Sequence, residues 1–146
     1  MAFKSLFGRF LVAMFFFMSA AMKFTEPASH EAMLLGSYTS LYKEFFALSG
    51  FNLPISPALL GLQVHALIQL TAALMVLGGI LFVSNVRIGA YLLSLLLLSF
   101  NVVIHNPWLY TGAERNINIV QNLLNFGWIA GLLLICGEKE EKEKKE

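Results

Sequence analysis

The chain has 146 residues, 58% of them hydrophobic, with a mean hydropathy of +0.71 and a formal net charge of +1. That composition excludes an ordinary soluble domain, which does not repeat long uncharged apolar runs, and it leaves no basic patch large enough for nucleic acid. The single cysteine, Cys136, excludes an internal disulfide and any Cys-x-x-Cys centre for zinc or redox chemistry. Cys136 reads as a buried apolar residue near a helix end, with palmitoylation as the alternative.

Lys4 and Arg9 lead into FLVAMFFFMSAAM, and residues 6–24 read as a first membrane span. A basic start, a short apolar core and Ser19-x-Ala21 also describe a cleavable signal peptide; retention is the reading adopted. Residues 25–58 are mixed. Thr25-Glu26-Pro27 resembles a helix start, and Leu34, Tyr38, Leu41, Tyr42 and Phe45 recur at helical spacing up to Gly50, a natural stop. This is an amphipathic helix in the first loop. It either covers the bundle or lies at the interface against lipid or a partner. Asn52, Pro54, Ser56 and Pro57 then form the turn into the second span, 59–83, which carries Gln63, His65 and Gln69 and closes at Gly78-Gly79. Residues 84–87 connect so tightly that the second and third spans must be antiparallel neighbours. The third span, 88–104, ends at His105-Asn106-Pro107-Trp108, and a loop through Glu114 and Arg115 leads to the fourth, 117–136.

The fourth span carries four amides, Asn118, Gln121, Asn122 and Asn125, within about one quadrant at roughly 100° per residue. Amides turned to lipid have no partners, so the stripe should face other protein. Gly127 and Gly131 fall on the opposite side and mark a face for close helix packing. The expected fold is all-α: one four-helix transmembrane domain over residues 1–137, up and down, with residues 138–146 as a charged tail.

Lys4, Arg9, Arg87 and the tail lysines share one side of that arrangement, while Lys23, Lys43 and Arg115 on the other are offset by nearby glutamates. Positive charge marks the cytoplasmic side, which places both termini in the cytosol. Lys142 and Lys144 fit the K-x-K-x-x dilysine spacing of a retrieval signal, pointing to the endoplasmic reticulum, with the mitochondrial inner membrane as the alternative. The same tail also holds Glu138–Lys142, Glu140–Lys144 and Glu141–Lys145 pairs that would extend a helix.

On the lumenal side this topology brings Lys23, His65, Gln69, Asn101, His105, Asn118, Gln121 and Asn122 to similar depth. They are candidates for one ligand pocket reached from the lumen; the alternative is interhelical hydrogen bonding that only fixes packing. His65 and His105 have no Asp, Glu or Cys beside them to complete a metal set, so no metal is expected. Without an intramembrane carboxylate or a Ser-His-Asp pattern, enzyme chemistry is poorly supported.

Several motifs recur in a familiar order: F-x-x-x-x-G-R-F-L, Ser19-Ala20 to Lys23-Phe24, Gly50-Phe51-x-x-Pro54, Gly78-Gly79-Ile80-Leu81-Phe82, Gly89-Ala90-Tyr91-Leu92-Leu93 and Gln121-Asn122-Leu123. Together they resemble the HR-like lesion-inducing family, a branch of the DoxX-like four-helix membrane proteins. The resemblance implies a four-helix fold, cytosolic termini and a home in secretory membranes. Many DoxX-like proteins have an acidic residue in the second span where this chain has Gln69, which weakens a carried-over redox or proton role. The expected function is a non-enzymatic adaptor, receptor or chaperone. Its alternatives are an accessory subunit of a larger membrane complex, mitochondrial respiratory complexes included, and a quinone- or lipid-binding oxidoreductase component. Membrane lipid and other membrane proteins are the expected partners; lipid or quinone is the cofactor class left open.

Overall fold

The computed structural model describes the backbone of residues 3–143 and the side chains of residues 6–136. Its elements are α1 (Phe3–Thr25), α2 (Pro27–Ser49), α3 (Pro57–Val83), α4 (Arg87–Val103) and α5 (Gly112–Glu143), with a 3-10 turn at Pro107–Leu109 before α5. Four stretches are long and apolar enough to cross a membrane: Leu6–Thr25, Pro57–Val83, Arg87–Leu109 and Gly112–Cys136. The remaining helix is α2.

Local chemistry sets the boundaries. One residue, Glu26, separates α1 from α2, and Pro27 opens α2 where its missing N–H costs nothing. Gly50 ends α2 at φ 72°, donating its N–H to the Phe46 carbonyl. Left-handed backbone there suits a residue without a Cβ. Ser56 caps α3 by accepting from the Leu59 N–H at 3.2 Å. Between α3 and α4, Asn85 takes φ 64°, and the Val86 N–H reaches back to the Leu81 carbonyl at 2.8 Å. Asn tolerates that conformation better than most residues.

α5 is longer than its apolar run. It begins at Gly112 rather than 117 and its backbone stays helical to Glu143 rather than stopping at 136. Apolarity marks the stretch suited to lipid, whereas a helix runs on through polar residues that its own backbone bonds satisfy. Of the two retrieval-signal candidates, Lys144 lies outside the described residues, as does the side chain of Lys142.

α3 is the hub. It packs against α1, α2 and α4, and α4 in turn carries α5. Phe16, Met75, Phe82, Leu93, Leu97 and Leu132 are the largest fully buried side chains. Outside this core the bundle is apolar as well; Phe10, Leu62, Leu95 and Leu134 are all exposed, a surface suited to acyl chains rather than water. Arg9 is buried, with Nη1 donating to the Phe82 carbonyl at 3.3 Å and the guanidinium over the Phe82 ring. A cation at the C-terminal end of α3 meets the negative end of that helix.

The close helix approaches are not where the Gly-x-x-x-Gly spacing put them. Among the described residues nothing lies within 4 Å of a Cβ built at Gly127 or Gly131, so neither makes a close approach to another described helix. α5 turns its amide side to α4, which leaves the two glycines outside. Gly89 is the tight position instead: a Cβ there would sit 2.5 Å from the Phe82 N and 2.7 Å from the Gly78 carbonyl. At Gly79 it would meet the Phe17 ring at 2.5 Å.

Candidate functional site

A cavity of about 440 Å³ lies among all five helices. That volume falls in the range of small-molecule sites, about 300–1,000 Å³. Along α1 its wall is Phe15, Ser19 and Lys23, one turn apart; along α4 it runs from Leu96 through Phe100 to Ile104 and His105. α3 supplies Ile68, Thr71 and Met75, α2 adds His30 and Met33, and α5 adds Gln121 and Asn125. The wall is mainly apolar. Lys23, which ends α1, and His105, which follows α4, form a polar end with Ser19 and His30. Thr71 and Ser99 also line the cavity, their hydroxyls donating to carbonyls one turn back in their own helices.

Lys23 is 8% exposed. Its Nζ donates to Ser19 Oγ at 3.0 Å and stands 5.5 Å from the centre of the Phe100 ring. No carboxylate among the described residues comes within 4 Å of it; Glu31 instead meets His65. His30 sits beside Lys23 at the start of α2. Burial first, and then the Lys23 charge, hold its pKa below the ordinary 6.5, against an opposing pull from Glu26.

Behind His105 runs a closed amide network. Asn118 Nδ2 donates to the Glu114 carbonyl at 3.0 Å, so its Oδ1 accepts from His105 Nδ1 at 3.1 Å. Asn122 Nδ2 donates to the His105 carbonyl, and Asn101 Nδ2 to the Asn122 carbonyl. Asn125 Nδ2 donates to Asn101 Oδ1 at 2.7 Å, both side chains buried. Three of the four stripe amides, Asn118, Asn122 and Asn125, therefore bond α4 or the residues just after it, whereas Gln121 is exposed. Nearby, Tyr110 Oη donates to the Ile104 carbonyl and receives the Ser37 hydroxyl at 2.7 Å, which ties α2 to the same end.

The eight candidate pocket residues separate into three groups. Lys23, His105 and Gln121 line the cavity. Asn101, Asn118 and Asn122 sit in the adjoining network, where their hydrogen bonds are taken up by protein. His65 and Gln69 belong to neither. The His65 side chain is 66% exposed, and its Nδ1 meets Glu31 Oε1 of α2 at 2.6 Å. Position 65 shares the α2-facing side of α3 with Gly61, whose nearest neighbour is Leu35. Gln69 is half-buried and does not line the cavity, although Leu67, Ile68, Leu70 and Thr71 around it do.

Sequence reasoning missed Ser19, His30 and Asn125 as members of this site. Ser19 and Lys23 stand four apart on one helix, which is a usable signal. Asn125 belongs to the amide stripe already noted. Nothing local marks His30, because only the packing of α2 brings it to Lys23. Among the described residues no group of three His, Cys, Asp or Glu is placed to hold a metal ion.

A family model described as HR-like lesion-inducing matches residues 1–137 of the chain. No curated protein matches it, and neither does any solved structure.

Proposed function

This chain belongs to the HR-like lesion-inducing family, and on that premise we propose that it is a non-enzymatic membrane receptor that holds an amphiphile in the cavity between its helices. The observation that carries this reading is the cavity's division into an apolar wall and a polar end at Lys23 and His105. Such a wall takes an acyl or isoprenoid chain, and the polar end takes a head group. A bilayer supplies molecules of that shape at high concentration, and no reacting side chain is needed to hold one.

The accompanying topology is four spans, up and down, with both termini cytosolic and α2 on the lumenal side. Supporting it are contacts that run in opposite senses along the helices: Arg9 of α1 meets Phe82 near the end of α3, while Lys23 of α1 meets Phe100 near the end of α4. Placement in the wider DoxX-like group and residence in the endoplasmic reticulum belong to the same proposal, the latter resting on the Lys142 and Lys144 spacing.

The test is recovery of a bound molecule. The full chain, purified from its native membrane, should carry an acyl or isoprenoid amphiphile enriched over the bulk lipid, read by native mass spectrometry. Leu74→Trp, which fills the wall without touching the polar end, should lose it and keep the wild-type melting temperature. A wild-type protein carrying nothing above the bulk lipid composition would overturn the reading.

A further inference from the structure

Lys23 ends α1 within reach of an aqueous surface, and a lysine there ordinarily extends its ammonium outward to water. This one does the reverse. Its Nζ bonds Ser19 one turn earlier, so the charge is carried back into the span and onto the cavity wall. Helical side chains lean that way, which makes the conformation accessible, but leaning does not supply a partner for the charge. Ser19 takes one of the three ammonium protons. The Phe100 ring and the C-terminal end of α1 each offset part of the charge, yet neither takes up the donors as an anion would. Glu26, three residues on, is exposed and lies beyond 4 Å of the ammonium. A buried charge is ordinarily paired. Here the protein provides a cation, a hydroxyl and an apolar cavity, and among the described residues no opposite charge lies within 4 Å of it.

Resting on the amphiphile reading above, we infer that the polar end is an anion site, taking the carboxylate or phosphate of a single-chain amphiphile against Lys23 while the chain lies along Phe15, Leu74 and Leu96. A head-group oxygen would replace the missing counter-ion with charge-assisted hydrogen bonds from Nζ, the strong class of such bonds. Gln121, on the same wall, has an amide N–H to add. A cavity of about 440 Å³ has room for one chain and not for a whole two-chain phospholipid. The shared chemistry is an anionic head on one chain, whether a fatty acid or a lysophosphatidate supplies it.

A reporter is built in. Trp128 stacks on Phe15 with ring centres 4.8 Å apart, and Phe15 is cavity wall. The other tryptophan, Trp108, is 80% exposed and is removed by Trp108→Phe. In that background the full chain, in phosphatidylcholine nanodiscs, is titrated with a dibrominated C18 acid and with its methyl ester across a pH series from neutral upward, and Trp128 quenching is followed. The acid should quench saturably and at least about tenfold more tightly than the ester, the loss that follows when a charge-assisted hydrogen bond is removed. Lys23→Met should bring the acid down to the ester, while Lys23→Arg should keep the difference. Competition by unlabelled oleate and by lysophosphatidate names the source: whichever displaces the brominated acid better is the physiological class. Equal affinity of wild-type protein for acid and ester, or a neutral monoacylglycerol or quinone competing as well as either anion, would overturn the anion site while leaving the cavity reading intact. Absence of saturable quenching by every amphiphile would overturn both. The acid–ester comparison on wild-type protein stands even where Lys23→Met fails to fold.

Discussion

Asn101 and Asn125 are a buried side-chain pair whose hydrogen bond joins two candidate spans directly. Replacing Asn125 by Leu strands the Asn101 Oδ1 and should destabilise the protein by about 1–2 kcal/mol, as buried unpaired amides do. Asn101→Leu combined with Asn125→Leu should cost less than the single change, because no acceptor is left without a donor. Thermal unfolding in one detergent compares the two; a double variant worse than Asn125→Leu would mean that packing rather than the hydrogen bond sets the value. His30 offers a second residue-scale check. Its pKa lies below the ordinary value because the folded state favours the neutral ring, through burial first and Lys23 second. The sign follows: the neutral ring's contribution is complete above the unfolded pKa and is lost as pH falls through the depressed one. An NMR titration should find the His30 midpoint below 6.5 and Lys23→Met should raise it. An unchanged midpoint in that variant would show that the ammonium does not act on the ring.

Between elements, glycine position decides more than glycine spacing. At Gly89 the neighbours of a new Cβ are backbone atoms of α3, which cannot rotate away. Gly89→Ala should therefore push α3 and α4 apart and cost about 1–3 kcal/mol, the usual range for overpacking. Gly127→Ala meets nothing within 4 Å and should change stability by no more than about 1 kcal/mol. The contrast is read from melting temperatures of the two single variants side by side. Equal losses would mean that α5 packs on something its own chain does not provide. α2 works differently. Ser37 on Tyr110, Glu31 on His65 and Tyr38 on the Ile55 carbonyl hold it by polar contacts, and its His30 and Met33 then close one side of the cavity.

For the molecule as a whole, charge distribution predicts orientation. A glycosylation acceptor inserted in the 51–55 segment should be modified, and one appended after Glu146 should not. Modification of the appended site would invert the topology. Lys142→Ser with Lys144→Ser should let the protein pass beyond the endoplasmic reticulum, followed by imaging of the tagged chain. A double variant that stays in place would remove the dilysine reading while leaving the bundle untouched.

Hydropathy and breakers alone determined much of this protein. Four apolar stretches, the stop at Gly50, the turn through Pro54 and Ser56 and the connection at 84–87 were legible because each depends on residues close in sequence. So was the commitment of Asn118, Asn122 and Asn125 of α5, since lipid offers them no partner, although Gln121 on the same stripe stays exposed. Depth along the chain placed Lys23, His105 and Gln121 at one end for the same reason. Rotation about a helix axis was another matter. Whether His65 turns toward the cavity or toward Glu31, and whether Gly127 or Gly89 meets a neighbour, depends on which helix lies alongside. That is set by the packing of Phe16, Met75, Leu93 and Leu132 across α1, α3, α4 and α5. Only the tertiary arrangement could bring His30 to Lys23 and carry an ammonium, held by a serine, onto an apolar wall.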